Sequence, residues 1–149
     1  KMGIIKPTIS VTANASTAST DAGPLSIALA LSATDSLDVT AVQTKIISPT
    51  NADDQVLWDD ADFTDGTETA GTDGGFVYIS NLHATIDIII GFGAAAALEG
   101  AGEAKRLMTL KPGEFAWFPW DFTADILVDV VGSSTATNGL ESWVFTRTQ

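Results

Sequence analysis

The chain has 149 residues, with 7 Lys plus Arg against 19 Asp plus Glu, a formal net charge of −12, and no cysteine. One domain fits this length, and a domain of that size buries roughly 68–70% of its unfolded surface without disulfide or metal staples. The missing cysteines remove thiol chemistry and thiolate zinc sites. The acidic balance repels phosphate backbones, so nucleic acid is not an expected partner. No apolar run reaches the ~18 residues of a membrane span, and Lys1–Pro7 lacks the apolar core and cleavage site of an export signal, so no membrane association is expected.

In chain order, the first expected element is an N-terminal arm over residues 1–24, followed by a β domain over residues 25–149. Between Thr8 and Pro24 the arm is mostly Ser, Thr, Ala and Asn, with Ile9 and Val11 as its large apolar residues. Too little apolar surface is present for it to bury itself. Composition leaves two states open, a disordered tail and an extended arm that orders on a neighbouring subunit.

From Leu25 the period is two: Leu25, Ile27, Leu29, Leu31 and Ala33 alternate with small residues, which predicts a strand with one buried face. Leu37–Ile47 continues the pattern, with an apolar phase shift between Val39 and Val42 that predicts a bulge or a bend from one sheet to another. Further strands are expected at Val56–Trp58, Phe76–Asn81, Ile86–Phe92, Arg106–Lys111, Glu114–Trp120, Ala124–Val131 and Leu140–Arg147. Lys111-Pro112-Gly113-Glu114 reads as a type II turn, expected to join two antiparallel strands directly. Ala94–Arg106 is rich in Ala and Glu but broken by Gly100 and Gly102, and reads as a loop with at most one helical turn. Short strands of this spacing without an amphipathic helix predict an all-β fold, a two-sheet antiparallel sandwich of jelly-roll or Greek-key type.

Patterns that would carry chemistry fail on context. Gly91-Phe92-Gly93-Ala94-Ala95-Ala96 matches G-x-G-x-x-A, yet Lys111-Pro112 stands where the next βα unit should provide its acidic residue, so no nucleotide cofactor is expected. Asp53, Asp54, Asp59, Asp60, Asp62, Asp65 and Glu68 offer carboxylates for calcium. With Gly66 at the sixth place of an EF-hand loop, Ala61 and Phe63 fall on ligand places, so the expected reading is a solvated acidic loop and no metal. His83 is the sole histidine, and no G-x-S-x-G elbow accompanies it, so it is expected at a turn or interface and the chain is not expected to be an enzyme. Phe115, Trp117, Phe118, Pro119, Trp120 and Phe122 form an aromatic run; on a strand, Phe115 and Trp117 face one way and Phe118 and Trp120 the other. One set is therefore core, and the other is available to a partner or to a sugar.

The order Phe76-Val77-Tyr78-Ile79-Ser80-Asn81-Leu82, Ile86–Gly91, Leu110-Lys111-Pro112-Gly113-Glu114, Pro119 and Leu140-Glu141-Ser142-Trp143-Val144-Phe145 resembles small β-sandwich virion proteins of tailed bacteriophages. The likeness covers about half the chain and leaves Leu25–Asp73 and Gly93–Ala104 unmatched. It implies a cement or decoration protein on the outer capsid surface, made in the host cytoplasm, homo-oligomeric, and bound to the major capsid protein or other virion proteins. It brings no catalytic residue. Ile4, Ile5, Ile9 and Val11 of the arm, with Trp117, Trp120 and Phe122, are the expected partner contacts. The alternative is a carbohydrate-binding or receptor-binding appendage carried by Trp117, Trp120 and the acidic loop.

Overall fold

The computed structural model describes residues 3–5, 8–12, 28–32, 37–39, 41–51, 55–63, 74–93, 98, 106–132 and 135–147, with side chains described between residues 41 and 146. Strands dominate: β1 (Gly3–Ile5), β2 (Thr8–Thr12), β3 (Ala28–Ser32), β4 (Leu37–Val39), β5 (Ala41–Ile47), β6 (Gln55–Trp58), β7 (Gly74–Asn81), β8 (Ile88–Phe92), β9 (Arg106–Leu110), β10 (Phe115–Trp120), β11 (Ile126–Val130) and β12 (Leu140–Arg147). The one helical piece among the described residues is a 3-10 turn at Asp60–Phe63. The fold is all-β, as its period-two patterning requires.

The chain divides into two compact units, Lys1–Asp38 and Val39–Gln149. In the first, β2 pairs antiparallel with β3, setting Ile9 opposite Leu31 and Val11 opposite Leu29. Strand β1 pairs with β4, whereas β5 pairs with β12, so the run from Leu37 to Ile47 does pass from one sheet to another. The predicted loop at 94–106 falls outside the described residues except for Leu98 and Arg106, as does the strand start at 25–27.

Two four-stranded antiparallel sheets make the second unit, in the orders β10-β7-β12-β5 and β6-β11-β8-β9. Of the sequence neighbours among these strands, β8 and β9 pair with each other; every other connection passes from one sheet to the other. That winding is the jelly roll, the two-sheet arrangement of paired Greek keys. It corrects one expectation. The Lys111–Glu114 turn forms, with Glu114 N donating to Lys111 O at 2.9 Å and Gly113 at φ 80°, but it carries the chain from β9 in one sheet to β10 in the other. Turn chemistry sets the local reversal, while strand pairing is set by what the flanking faces bury.

The core lies between the sheets. Val77, Ile79, Leu140 and Val144 meet Ile88, Ile90, Ile126, Val128 and Val130, all fully buried. At one end Phe63 stacks on Phe122 at 5.0 Å and meets Trp120 edge-on at 5.2 Å and Trp58 at 5.8 Å. Phe122 holds a positive φ of 56°, a costly conformation for a bulky residue, and its ring is 1% exposed. Burial of that ring offsets the backbone strain. Lys45 from edge strand β5 reaches the other sheet, donating from Nζ to Leu57 O at 2.9 Å while lying 4.0 Å over the Trp58 ring.

Buried Asn81 ties three connections together. Its Nδ2 donates to Ile86 O and Leu110 O, each at 2.9 Å, and its Oδ1 accepts from His83 N. Its backbone bonds the 111–114 turn on both sides, N to Glu114 O and O from Gly113 N. A fully buried amide persists only when its donors and acceptor are met, as they are here.

Candidate functional site

Alternation along β7, β10 and β12 puts one residue in two outside the sandwich, and on all three strands those residues include aromatics. Strand β7 contributes Phe76 and Tyr78, β10 Phe115 and Trp117, and β12 Trp143 and Phe145. Register brings them together: Trp143 and Trp117 both lie opposite Tyr78, and Phe145 lies opposite Phe76. Edge strand β5 extends the same face with Val42 and Ile46, 48% and 61% exposed.

The rings pack on one another. Phe76 and Trp117 stack at 5.5 Å with planes 9° apart, Trp117 meets Phe145 at 5.3 Å, and Trp143 stacks on Phe145 at 6.2 Å. Parallel rings at 5.5 Å are offset-stacked, since rings side by side in one plane would stand farther apart. Each therefore covers part of its neighbour's face. Phe115 at 57% and Trp143 at 36% are the most exposed of the set. Glu141, whose carboxylate accepts from Trp143 Nε1 at 3.0 Å, lies on this face between Ile46 and Ser80 and brings an acidic group into it. Antiparallel sheets usually turn polar residues to water on their outer side; this one turns out six aromatic rings, Val42 and Ile46, with Thr44, Ser80 and Glu141 among them.

Of the expected contact residues, Trp117 lies on this face, half-buried among its neighbours. Trp120 and Phe122 do not join it. They are 4% and 1% exposed and pack 4.8 Å apart in the core, with Trp120 Nε1 donating to Ala124 O. Their position on the inner phase of β10 and in the loop after it takes both rings off the outer face, and Trp120 keeps only the edge that lines the cleft beside Asp121. Ile4 and Ile5 lie on β1, and Ile9 and Val11 on β2; their side chains fall outside the described residues.

A second cluster stands at one end of the sandwich. Carboxylate oxygens of Asp59, Asp60 and Asp125 come within 4.8 Å of one another, and Asp125 Oδ1 accepts from Asp60 N at 3.0 Å. Burial lifts the Asp60 carboxyl above its ordinary pKa, and the neighbouring Asp125 charge adds to the rise. The trio offers three carboxylates toward the six to eight oxygens calcium takes; Asp53, Asp54, Asp65 and Glu68 lie outside the described residues. Beside it, a cleft of about 420 Å³ is lined by Phe92, Pro119, Trp120, Asp121, Thr123 and Ala124.

His83 is a turn residue. Its Nδ1 accepts from Thr85 N at 3.2 Å and Ile86 N at 3.1 Å, closing the connection from β7 to β8. Gly91 sits inside β8 opposite Leu127, and Gly93 takes φ 106° at the strand's end, where its N donates to Asp125 O. Residues 94–97, the rest of the G-x-G-x-x-A pattern, fall outside the described set.

Comparison with protein-family models, with curated proteins and with solved structures finds no match. The site thus stands on its own geometry. Sequence reading found Trp117 but missed Phe76, Tyr78, Trp143 and Phe145, although a signal was present: Phe76-x-Tyr78, Phe115-x-Trp117 and Trp143-x-Phe145 each place two aromatics at strand spacing. That these three pairs share a face follows from the β10-β7-β12 order.

Proposed function

We propose that this chain is a structural virion protein that attaches to the outer surface of a capsid shell and stabilises it. One observation carries the reading above all: the outer face of the β10-β7-β12-β5 sheet gathers six aromatic rings with Val42 and Ile46, while the chain as a whole bears a net charge of −12. Exposed apolar area of this breadth suits protein contact, and the acidic remainder keeps copies soluble before assembly. The resemblance to phage decoration proteins supplies the setting; its segments lie on β7, β8, the 111–114 turn, β10 and β12. In this reading the partners are the major capsid protein or other virion proteins. Many modest contacts then lock a shell together, because linked sites must open jointly.

The carbohydrate-binding alternative is the poorer reading. Trp120 is buried, and Trp117 shares its ring faces with Phe76 and Phe145, whereas a sugar needs an uncovered face to stack on.

Cosedimentation of the purified chain with shells that lack it tests the proposal. Binding should saturate at a fixed number of copies per shell and raise the temperature at which shells open, and removal of the whole first unit, Lys1–Asp38, should lower occupancy while the second unit, Val39–Gln149, stays folded. Sedimentation no greater than that of an unrelated acidic protein would remove the capsid reading.

A further inference from the structure

We infer that the outer face of the β10-β7-β12-β5 sheet receives a partner surface that brings an arginine to Glu141, so that an ion pair keys the aromatic contact. This rests on the shell reading and gives the partner a chemical feature, and the site itself can be read without a shell.

Register sets Phe115, Ser80, Glu141 and Ile46 in one row across the four strands. Glu141 thus stands inside the patch, on a central strand. Ile46, 61% exposed, is on one side of it, and on the other is Ser80 with Phe115, 57% exposed, beyond. The ladder continues one step past Ser80, where Leu82 N donates to Gly139 O at 2.8 Å, and the alternation that turns Ser80 outward turns Leu82, 52% exposed, the same way. Apolar groups surround the carboxylate.

Among the described residues no base of the chain pairs with Glu141. Lys45, next to Ile46 on β5, points to the inner side and commits its ammonium to Leu57 O and the Trp58 ring. Arg147 lies further along β12, roughly 20 Å from Glu141 on an extended strand. Trp143 Nε1 donates to Glu141 Oε1 at 3.0 Å. That neutral donor orients the carboxylate and leaves its charge unbalanced. The Ser80 hydroxyl beside it, 7% exposed, makes no hydrogen bond among the described residues.

Covering this face takes Glu141 out of water. Contact over its neighbours gains free energy, but a carboxylate sealed under an apolar surface without a countercharge loses hydration that nothing returns. A cation on the partner removes that cost. Arginine suits the place better than lysine, because a planar guanidinium can take both carboxylate oxygens and lie against a ring, with Trp143 adjacent and the Ser80 hydroxyl as a further acceptor. At longer range a chain of −12 is drawn toward a basic surface.

Two readouts on the full chain decide it. In the first, n-butylguanidinium is titrated while NMR follows the Trp143 indole N–H, assigned with Trp143→Phe, and n-butylurea serves as the neutral isostere. The cation should move that signal along a saturating curve and the urea should not. Glu141→Gln keeps an acceptor for Trp143 Nε1 without the charge and should abolish the response, whereas Asp62→Asn, which removes one exposed carboxylate from the 3-10 turn after β6, should retain it. In the second, the parent should bind shells at least about tenfold more tightly than Glu141→Gln, and its binding should weaken more steeply as salt rises, while Asp62→Asn behaves like the parent. A Trp143 signal that ignores the cation, a response that survives Glu141→Gln, or equal shell binding by Glu141→Gln and the parent overturns the inference. A parent that leaves shells bare removes the shell reading alone, and the guanidinium titration still decides the site.

Discussion

The outer faces of the two sheets are handled in opposite ways. On the β6-β11-β8-β9 sheet, Ile89 and Leu127 face outward and are nonetheless fully buried, because Leu98, itself 1% exposed, packs with them in a second small core. Leu98, which follows β8 in the chain, thus covers part of its own sheet. On the β10-β7-β12-β5 sheet, Phe115, Trp143, Val42 and Ile46 remain exposed. Apolar side chains on an outer face thus stand in two environments: Ile89 and Leu127 beneath Leu98 of the same chain, and Phe115, Trp143, Val42 and Ile46 in water.

The largest effect should come from the covered face. Leu98→Ala removes a buried side chain whose contacts are Ile89 and Leu127, and should cost about 2–5 kcal/mol in denaturant unfolding. A loss below about 0.5 kcal/mol would mean that the cover contributes little and that the two faces are alike after all.

The next contrast lies within a single sheet. Ser142, 1% exposed on the inner side of β12, accepts from Trp58 Nε1 at 2.7 Å and donates to Tyr78 O at 3.1 Å. Ser142→Ala strands a buried indole N–H and should cost about 1–3 kcal/mol. Phe115→Ser, on the outer side of β10, should cost under about 0.5 kcal/mol. Equal losses would show that the outer face is part of the monomer's own packing.

The smallest effect concerns pH and keeps the comparison clean. Asp60 binds its proton more tightly folded than unfolded, so its contribution is fully present below the unfolded pKa and is lost as pH rises through the raised folded value. Asp60→Asn should therefore raise Tm at pH 7, with the difference shrinking as pH falls toward 3. A Tm that falls at pH 7 would assign the carboxylate a needed partner.

Much of the fold was readable one strand at a time. Period two marked β7, β8, β10, β11 and β12 within two residues of their observed ends, and Pro112-Gly113 marked a turn that forms. The arm's strands β1 and β2 were missed: Thr8-Ile9-Ser10-Val11-Thr12 does alternate, but over two apolar residues only, and Gly3-Ile4-Ile5 is too short to show a period. Trp120 and Phe122 illustrate the same limit: alternation separates the two sides of β10, but cannot say which side is the interior.

Composition and period alone determined that this is a cysteine-free, acidic, all-β chain, because apolar residues at every second place are satisfied only by strands with one side buried. Tertiary structure decided the winding, the covering of one outer face by Leu98, and the gathering of three separate aromatic pairs on the other. Those depend on which strands lie side by side, and β7, β10 and β12 are brought together by a core that no local stretch of sequence contains.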